Sequence, residues 1–121
     1  MKIFIVDDDT MLTTALSDYI SRKSDAEIKV FHTGEECIQH MHENPDVVIL
    51  DYYLNMVEKS AANGMEILKL IRKNNPEVHI IMLSGQEHYG VALNIVKQGA
   101  EHYVIKDDNA FARVAEIIED Y

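Results

Sequence analysis

Short, uninterrupted hydrophobic runs alternate along the chain with longer segments whose apolar residues recur every three or four positions. Uninterrupted runs of this kind are typical of strands covered on both faces, as in a parallel sheet. The runs are Ile3–Val6, Ile28–Phe31, Val47–Leu50, Ile80–Leu83 and Tyr103–Ile105. Lys29 interrupts the second run, so we expect that strand at an edge of the sheet.

The segments between and after these runs predict five amphipathic helices. Their apolar stripes fall within residues 12–20, 37–41, 67–71, 89–96 and 111–118. The second stripe is weak, but Thr33 and Glu36 give that helix the spacing of a capping box. In the fourth helix the expected stripe contains Leu93 and Val96. Strands alternating with helices predict an α/β fold with a parallel sheet and helices on both faces.

The length of 121 residues fits one domain spanning residues 1–121. Because 21 acidic residues stand against 11 Lys and Arg, the net charge of −10 argues against direct binding to nucleic acid or to an anionic membrane. The apolar runs are too short for a membrane helix, and the start is too short for a signal peptide. Cys37 is the single cysteine, so we expect a cytoplasmic domain without an internal disulfide.

Polar side chains collect directly after four of the predicted strands. Asp7-Asp8-Asp9 follows the first strand, Asp51 the third, Ser84 the fourth and Lys106 the fifth. Open α/β sheets bind ligands outside the carboxyl ends of their strands, where the strand order reverses. If the order is 2-1-3-4-5, the first and third strands are neighbours at that point. The carboxylates, hydroxyl and ammonium group then converge in one pocket.

These groups suit phosphoryl chemistry. Clustered carboxylates repel one another, and a hard divalent cation such as Mg²⁺ relieves the repulsion while keeping sites for water and a phosphoryl oxygen. Lys106 and Ser84 opposite the metal would neutralise and position a phosphoryl group. Asp51 is the candidate nucleophile, which would form an acyl phosphate.

Over its whole length the chain resembles the receiver domain of two-component response regulators, of the chemotaxis-regulator type. The resemblance lies in the order and spacing of several short motifs. They are residues 5–9 (IVDDD), 47–51 (VVILD), 63–64 (NG), 82–85 (MLSG), 99–100 (GA) and 103–106 (YVIK). The resemblance implies a flavodoxin-like, doubly wound (βα)5 fold with strand order 2-1-3-4-5.

The resemblance also implies roles for individual residues. Asp51 would accept the phosphoryl group, and Mg²⁺ would be held by Asp7, Asp8, Asp51 and the backbone carbonyl of Tyr53. Ser84 would hydrogen-bond the phosphoryl group.

The remaining implied roles concern charge pairing, switching and partners. Lys106 would pair with the phosphoryl group, and Tyr103 stands at the family's switch position. Ser84 and Tyr103 would turn phosphorylation into a change of the α4-β5-α5 face. The implied partners are a sensor histidine kinase or phosphotransfer protein, a downstream protein or attached output domain, and a second copy in a phosphorylation-dependent homodimer. The domain would be regulatory, catalysing only its own phosphotransfer and autodephosphorylation.

The sequence departs from the family pattern at two places. Asn55 replaces a proline, and the loop that ends at Gly64 is about five residues longer than usual. We expect residues 55–63 to act as a lid or partner contact, with Tyr53 shielding the phosphoryl group and Gln86 orienting water. Asp107 also replaces the proline that commonly follows the family's lysine in a cis peptide. A non-proline cis bond would cost about 3–4 kcal/mol, so the sequence leaves this geometry open.

Two other functions are compatible with some of these residues. A phosphatase of the haloacid dehalogenase type would use a different acidic set, although its lysine and acidic pair would be unusually close together and Asp51 would be idle. That set is Asp7, Asp9, Ser84, Lys106, Asp107 and Asp108. A receiver-like interaction domain that does not use phosphate is the other alternative, although such domains usually lack the acceptor, an acid or the lysine. Capping of a helix is the simpler interpretation of Asp9.

Overall fold

The structure, a computed structural model, describes residues 1–54, 62–85 and 89–121. Within these residues, five strands alternate with five α-helices and one short 3₁₀ helix. The strands are β1 (Lys2–Val6), β2 (Glu27–Phe31), β3 (Val47–Asp51), β4 (His79–Ser84) and β5 (His102–Ile105). The helices are α1 (Thr10–Lys23), α2 (Gly34–His40), α3 (Gly64–Asn74), α4 (Tyr89–Lys97) and α5 (Ala110–Glu119), and the 3₁₀ helix Met41–Glu43 follows α2.

All four strand pairings are parallel, and the order across the sheet is β2-β1-β3-β4-β5. The predicted fold and strand order are therefore confirmed. β2 lies at an edge, as the interruption at Lys29 indicated. Asp51 and Ser84 belong to their strands rather than following them, because the ladder continues to the pairs Asp51–Leu83 and Ser84–Ile105.

Alternate residues of each buried strand point to opposite faces of the sheet, which creates two cores. Phe4 of β1 packs in a cluster with residues of α2, α3 and α4. Ile5, its neighbour, packs in a second cluster with residues of α1 and α5. Two covered faces explain why the strand sequences are uninterrupted hydrophobic runs rather than alternating ones.

Local side-chain hydrogen bonds fix where the helices begin. Asp9 caps α1, and its carboxylate accepts hydrogen bonds from the backbone N–H groups of Met11 and Leu12, which confirms the predicted cap. Thr33 caps α2 through the N–H of Glu36. A complete capping box, formed at the start of α3 by Asn63 and Glu66, escaped the sequence analysis.

The predicted stripe of α4 is wrong in part. Among residues 92–97 of this helix, Ile95 is the buried one, whereas Leu93 is 71% exposed and Val96 is 48% exposed. The helix is apolar around much of its circumference, so periodicity alone did not identify the face that meets the sheet.

The sequence left the geometry of one peptide bond open and predicted that the chain has no membrane helix. The Lys106–Asp107 peptide is trans. Among the described residues, no helix combines the length and the apolar character needed to span a membrane. Residues 55–61 of the long loop, and Gln86, lie outside the described residues.

Candidate functional site

The register of the parallel strands brings the acidic strand ends together. Val6 of β1 is paired with Leu50 of β3. The residues that follow them, Asp7 and Asp51, therefore lie side by side. Asp51 is paired in turn with Leu83 of β4. The site therefore lies between the first and third strands, at the point where the strand order reverses.

Ser84 and Lys106 reach the same edge of the sheet from β4 and β5. The Lys106 N–H donates a hydrogen bond of 2.8 Å to the Ser84 carbonyl, which holds the two strand ends together. The Ser84 residue is fully buried. Tyr103, paired with Met82, lies half-buried against the core on the α2–α4 side of the sheet.

Three carboxylates form a compact acidic cluster. Asp7, Asp8 and Asp51 each offer an oxygen atom, and these atoms lie within 4.8 Å of one another. Asp7 and Asp51 are buried and Asp8 is half-buried, so Asp8 is the most exposed member of the cluster. It lies in a cleft of about 530 Å³ that Tyr53 and Lys106 also line. Clefts of similar size occur elsewhere on the molecule, so the charge distinguishes this one rather than its volume.

Lys106 supplies the compensating positive charge. Its Nζ lies 2.9 Å from Asp7 Oδ2 and 3.0 Å from Asp51 Oδ1. Burial acts to lower the pKa of Lys106, but attraction to Asp51 and Asp7 outweighs it, so the pKa is raised and the ammonium stays charged.

Asp51 is held in an environment that disfavours its ionised form. Burial and repulsion from Asp7 raise the pKa of Asp51 to about 6, although Lys106 acts in the opposite direction. A divalent cation beside the cluster would add the missing positive charge and favour ionised Asp51. The three oxygen donors fit a hard cation such as Mg²⁺.

The edge strand β2 and helix α1 support Asp7. The Asp7 N–H donates to the Phe31 carbonyl at 3.1 Å. His32 Nδ1 lies 3.0 Å from the Asp7 carbonyl and donates to it. Asp7 Oδ1 accepts a hydrogen bond of 2.9 Å from the Asp9 N–H. Sequence analysis did not identify His32 as a support, although its position directly after the second strand was a usable signal.

Gly64 lets the start of α3 approach the acidic site. A Cβ atom at this position would lie 2.2 Å from the Asp51 carbonyl oxygen, and the Gly64 N–H donates to the Tyr52 carbonyl at 2.9 Å. A larger residue would displace the backbone of Asp51 and Tyr52. The Tyr53 side chain is 37% exposed at the cleft, and the metal-ligand role of its carbonyl stays a prediction.

The phosphatase alternative requires Asp9 and Asp107 in the catalytic set. Asp9 instead caps α1. The Asp107 carboxylate accepts hydrogen bonds from the Arg113 guanidinium at 2.9 Å and from the Asn109 N–H at 2.9 Å. Both carboxylates are therefore engaged at the beginning of a helix, whereas Asp51 belongs to the acidic cluster.

A doubly wound parallel sheet with an acidic, lysine-containing cleft at its switch point defines a class of α/β proteins suited to binding a cation and a phosphoryl group. The sequence comparison narrows that class. The family model for the response regulator receiver domain matches residues 3–118. The chain therefore belongs to the receiver domain family of response regulators, which is regulatory and acts in two-component signal transduction.

Individual relatives are similar over most of this chain but are longer than it. The response regulator protein VraR of Staphylococcus saprophyticus is 25% identical over 120 residues, which are 98% of this chain and 54% of that protein. VraR of Staphylococcus aureus is 27% identical over 112 residues, covering 91% of this chain and 51% of its own length. The chain thus spans about half the length of these curated relatives.

Solved receiver structures share the fold. The beryllofluoride-activated DrrB receiver domain is 30% identical with a TM-score of 0.80, covering 98% of this chain and 97% of that one. The receiver domain of NtrX from Brucella abortus is 23% identical with a TM-score of 0.85, covering 98% and 95%. Because the NtrX receiver domain is only 23% identical, this similarity supports the fold and nothing further.

The raised pKa of Asp51 predicts a pH-dependent stability. Between the unfolded pKa of about 3.9 and the folded value of about 6, the folded state binds more protons, so the contribution of Asp51 to stability falls as pH rises. Without Mg²⁺, Asp51→Asn should therefore stabilise the protein at pH 7.5 by up to about 3 kcal/mol, and the gain should vanish near pH 3.5. Urea unfolding at the two pH values measures this difference.

Asp9→Asn is the matched control for this prediction, because it removes one negative charge from the lining of the same cleft while asparagine still caps the helix. It should give no comparable gain at pH 7.5. Added Mg²⁺ should stabilise the wild-type protein and reduce the advantage of Asp51→Asn. An Asp51→Asn protein that is less stable than wild type at pH 7.5 would contradict the inferred charge balance.

Proposed function

We propose that Asp51 accepts a phosphoryl group from the phosphohistidine of a sensor histidine kinase or phosphotransfer protein. The main support is the position of Asp51, which is buried within an acidic cluster and lies 3.0 Å from the Lys106 ammonium. Both a nucleophile and a fixed positive charge for a phosphoryl group are thereby within one cleft. Membership of the receiver family supports the same assignment.

We assign the cation to Mg²⁺, with Asp7, Asp8, Asp51 and the backbone carbonyl of Tyr53 as its ligands. The support is the donor set, because the three side chains offer hard oxygen atoms within 4.8 Å of one another and Tyr53 lines the same cleft. When bound, the ion supplies positive charge that offsets repulsion among the carboxylates and on the transferred group.

In the transfer step, an Asp51 carboxylate oxygen attacks phosphorus, an oxygen–phosphorus bond forms and the phosphorus–nitrogen bond to the donor imidazole breaks. Asp51 must be ionised for this attack. Lys106 already lies beside its Oδ1 and stabilises negative charge on the transferred group. Ser84 is on the adjacent strand and hydrogen-bonds the phosphoryl group once it is in place. The chemistry of the chain is limited to its own phosphotransfer and autodephosphorylation.

Phosphorylation then changes the face formed by α4, β5 and α5. Ser84 and Tyr103 lie on neighbouring paired strands, so a movement of Ser84 toward the phosphoryl group changes the space beside Tyr103. The added charge shifts the population between two states of this face. Exposed Leu93 and Val96 on α4 give the face apolar area for a protein partner.

The partner of this face is a downstream protein, an attached output domain or a second copy in a phosphorylation-dependent homodimer. The relatives are about twice the length of this chain, which supports a role as the regulatory part of a larger protein. We place the relay in the cytoplasm. The supports are family membership and a single cysteine, Cys37, which is buried and forms no disulfide.

The phosphoacceptor assignment predicts that acetyl phosphate with Mg²⁺ adds one phosphoryl group to the wild-type chain. Asp51→Asn should abolish the addition, because the amide is not a nucleophile for this transfer. Intact-mass measurement and Phos-tag electrophoresis detect the product. Asp9→Asn should be labelled like wild type, since it alters only a helix cap. Labelling of Asp51→Asn would contradict the assignment, and an unlabelled wild-type chain would favour a domain that acts without phosphate.

The metal assignment predicts weak Mg²⁺ binding before phosphorylation, because an open site leaves several waters on the ion. Asp8→Ala should weaken Mg²⁺ binding by at least about tenfold and slow labelling by acetyl phosphate in parallel. An NMR titration of the backbone amides with Mg²⁺ measures the affinity, with Asp9→Asn as control. Unchanged affinity in Asp8→Ala would remove Asp8 from the ligand set.

The switch assignment predicts where the molecule responds to a phosphoryl mimic. Beryllofluoride with Mg²⁺ should perturb amide shifts in the region from Tyr89 to Val114 more than those of α2, because Ser84 and Tyr103 connect the pocket to that side of the sheet. Two-dimensional NMR of the labelled protein provides the comparison, and Asp51→Asn is the negative control. A response confined to α1 and α2 would reject the proposed face.

A further inference from the structure

A single arginine of α3 binds three backbone carbonyls that belong to two distant parts of the chain. Arg72 donates from Nε and Nη2 to the Gly99 carbonyl, at 3.0 Å and 2.7 Å. Its Nη1 donates to the carbonyls of Pro76 at 2.8 Å and Val78 at 2.7 Å. Pro76 and Val78 lead into β4, whereas Gly99 follows α4. Arg72 therefore joins the entry of β4 to the exit of α4.

The exit of α4 is tightly built at this point. The Gly99 N–H donates to the Val96 carbonyl and the Ala100 N–H donates to the Ile95 carbonyl, which is the bonding pattern of a Schellman motif. Gly99 has φ +120°, and a Cβ atom there would lie 2.9 Å from Arg72 Cγ. Ala100 and Ile95 are both buried in the core. The carboxyl end of α4 is thus fixed by its backbone and by packing.

Strand β4, helix α4 and their connection are called the β4–α4 unit here. The carboxyl end of β4 differs from the end of the unit that Arg72 holds. β4 ends at Ser84 in the phosphoacceptor site, and the next residue, Gly85, is exposed. A Cβ atom at Gly85 would meet no atom of the described residues within 4 Å, in contrast to the close contact at Gly99. Among the described residues, the base of the unit is therefore tied by Arg72, whereas the backbone at Gly85 is uncrowded.

We propose that Arg72 is a positioning residue that ties the base of the β4–α4 unit, so that a displacement at the Ser84 tip reaches α4 as a rotation about Gly99. This inference rests on the proposed function, which supplies the displacement at Ser84. A helix whose carboxyl end is held responds by tilting, and the movement of each residue grows with its distance from the pivot. Arg72 touches neither the phosphoryl group nor the acidic cluster and acts through the backbone.

The planar guanidinium is suited to this task because its five N–H donors form a rigid fork. Three of its nitrogen atoms are used, on carbonyls that approach from two directions. A lysine ammonium retains the charge but is a point donor on a flexible stem, so it cannot bridge the same carbonyls in a fixed geometry. Arg72→Lys therefore tests the bridge while keeping the charge of the protein unchanged.

The wild-type protein tests the pivot directly. With saturating beryllofluoride and Mg²⁺, amide shift changes measured by NMR should be largest at the amino end of α4 and decrease along the helix to their minimum at Gly99. The Ser84 amide reports in the same spectrum that the mimic has bound. Changes at Gly99 as large as those at Tyr89 would overturn the inference without touching the proposed function.

Arg72→Lys should remove this gradient. The changes at Gly99 and Ala100 should rise by about threefold relative to wild type, while the Ser84 response and the affinity for the mimic stay the same. Gly99→Ala is the second variant, because its Cβ pushes against Arg72 and its positive φ disfavours a side chain. It should produce the same loss of gradient with the arginine still present.

Arg113→Lys is the matched control. Arg113 also donates to a backbone carbonyl, that of Ile105 at 2.8 Å, but it does so on α5. Its replacement should leave the α4 gradient intact. A gradient of shift changes that survives in Arg72→Lys overturns the inference. A gradient that disappears equally in Arg113→Lys also overturns it, because the loss would then reflect a general destabilisation of the domain. A wild-type protein with no response at Ser84 contradicts the proposed function, and the inference falls with it.

Discussion

The charge balance at Asp51 is the constraint on which the site depends. A carboxylate is buried beside a second carboxylate, Asp7, and one lysine ammonium must serve both at about 3 Å. The balance remains incomplete, because the pKa of Asp51 stays raised to about 6 in spite of Lys106. Such a site favours additional positive charge, and a cation bound beside Asp51 would stabilise the folded protein.

The fold brings these charged groups together at a small cost in conformational entropy. The acidic groups and Lys106 lie at strand ends, where the paired backbones fix their separation. The close approach of α3 at Gly64 and the hydrogen bond between Lys106 and Ser84 hold the rim in place. The strands beneath are covered on both sides by hydrophobic residues, so the floor of the cleft is rigid and water is kept from beneath it.

The strands could be predicted from local hydrophobic patterns, whereas the order of the sheet was implied by the resemblance to receiver domains. Given that order, the binding of ligands at the carboxyl ends of parallel strands predicts the convergence of Asp7, Asp51, Ser84 and Lys106. The buried face of α4 could not, since apolar residues surround that helix. The bridge from Arg72 to Gly99 spans 27 positions and depends on backbone carbonyls, which have no sequence signature. The support of Asp7 by Phe31 likewise uses a backbone carbonyl, whereas His32 directly after β2 was a signal that the sequence analysis did not use.

The two hydrogen bonds that join Asp7 to Phe31 and His32 have a consequence for the edge of the sheet. β2 is the strand farthest from β5, and it contributes no carboxylate to the cluster. It nevertheless fixes the position of Asp7 at the end of the sheet. The Asp7 backbone is hydrogen-bonded to Phe31 of β2 and to His32, which directly follows that strand. A slip of β2 by one residue would break both bonds at once. This edge strand therefore acts as a template for the acidic cluster, and sequence changes in it would displace Asp7 without any direct contact with the cluster.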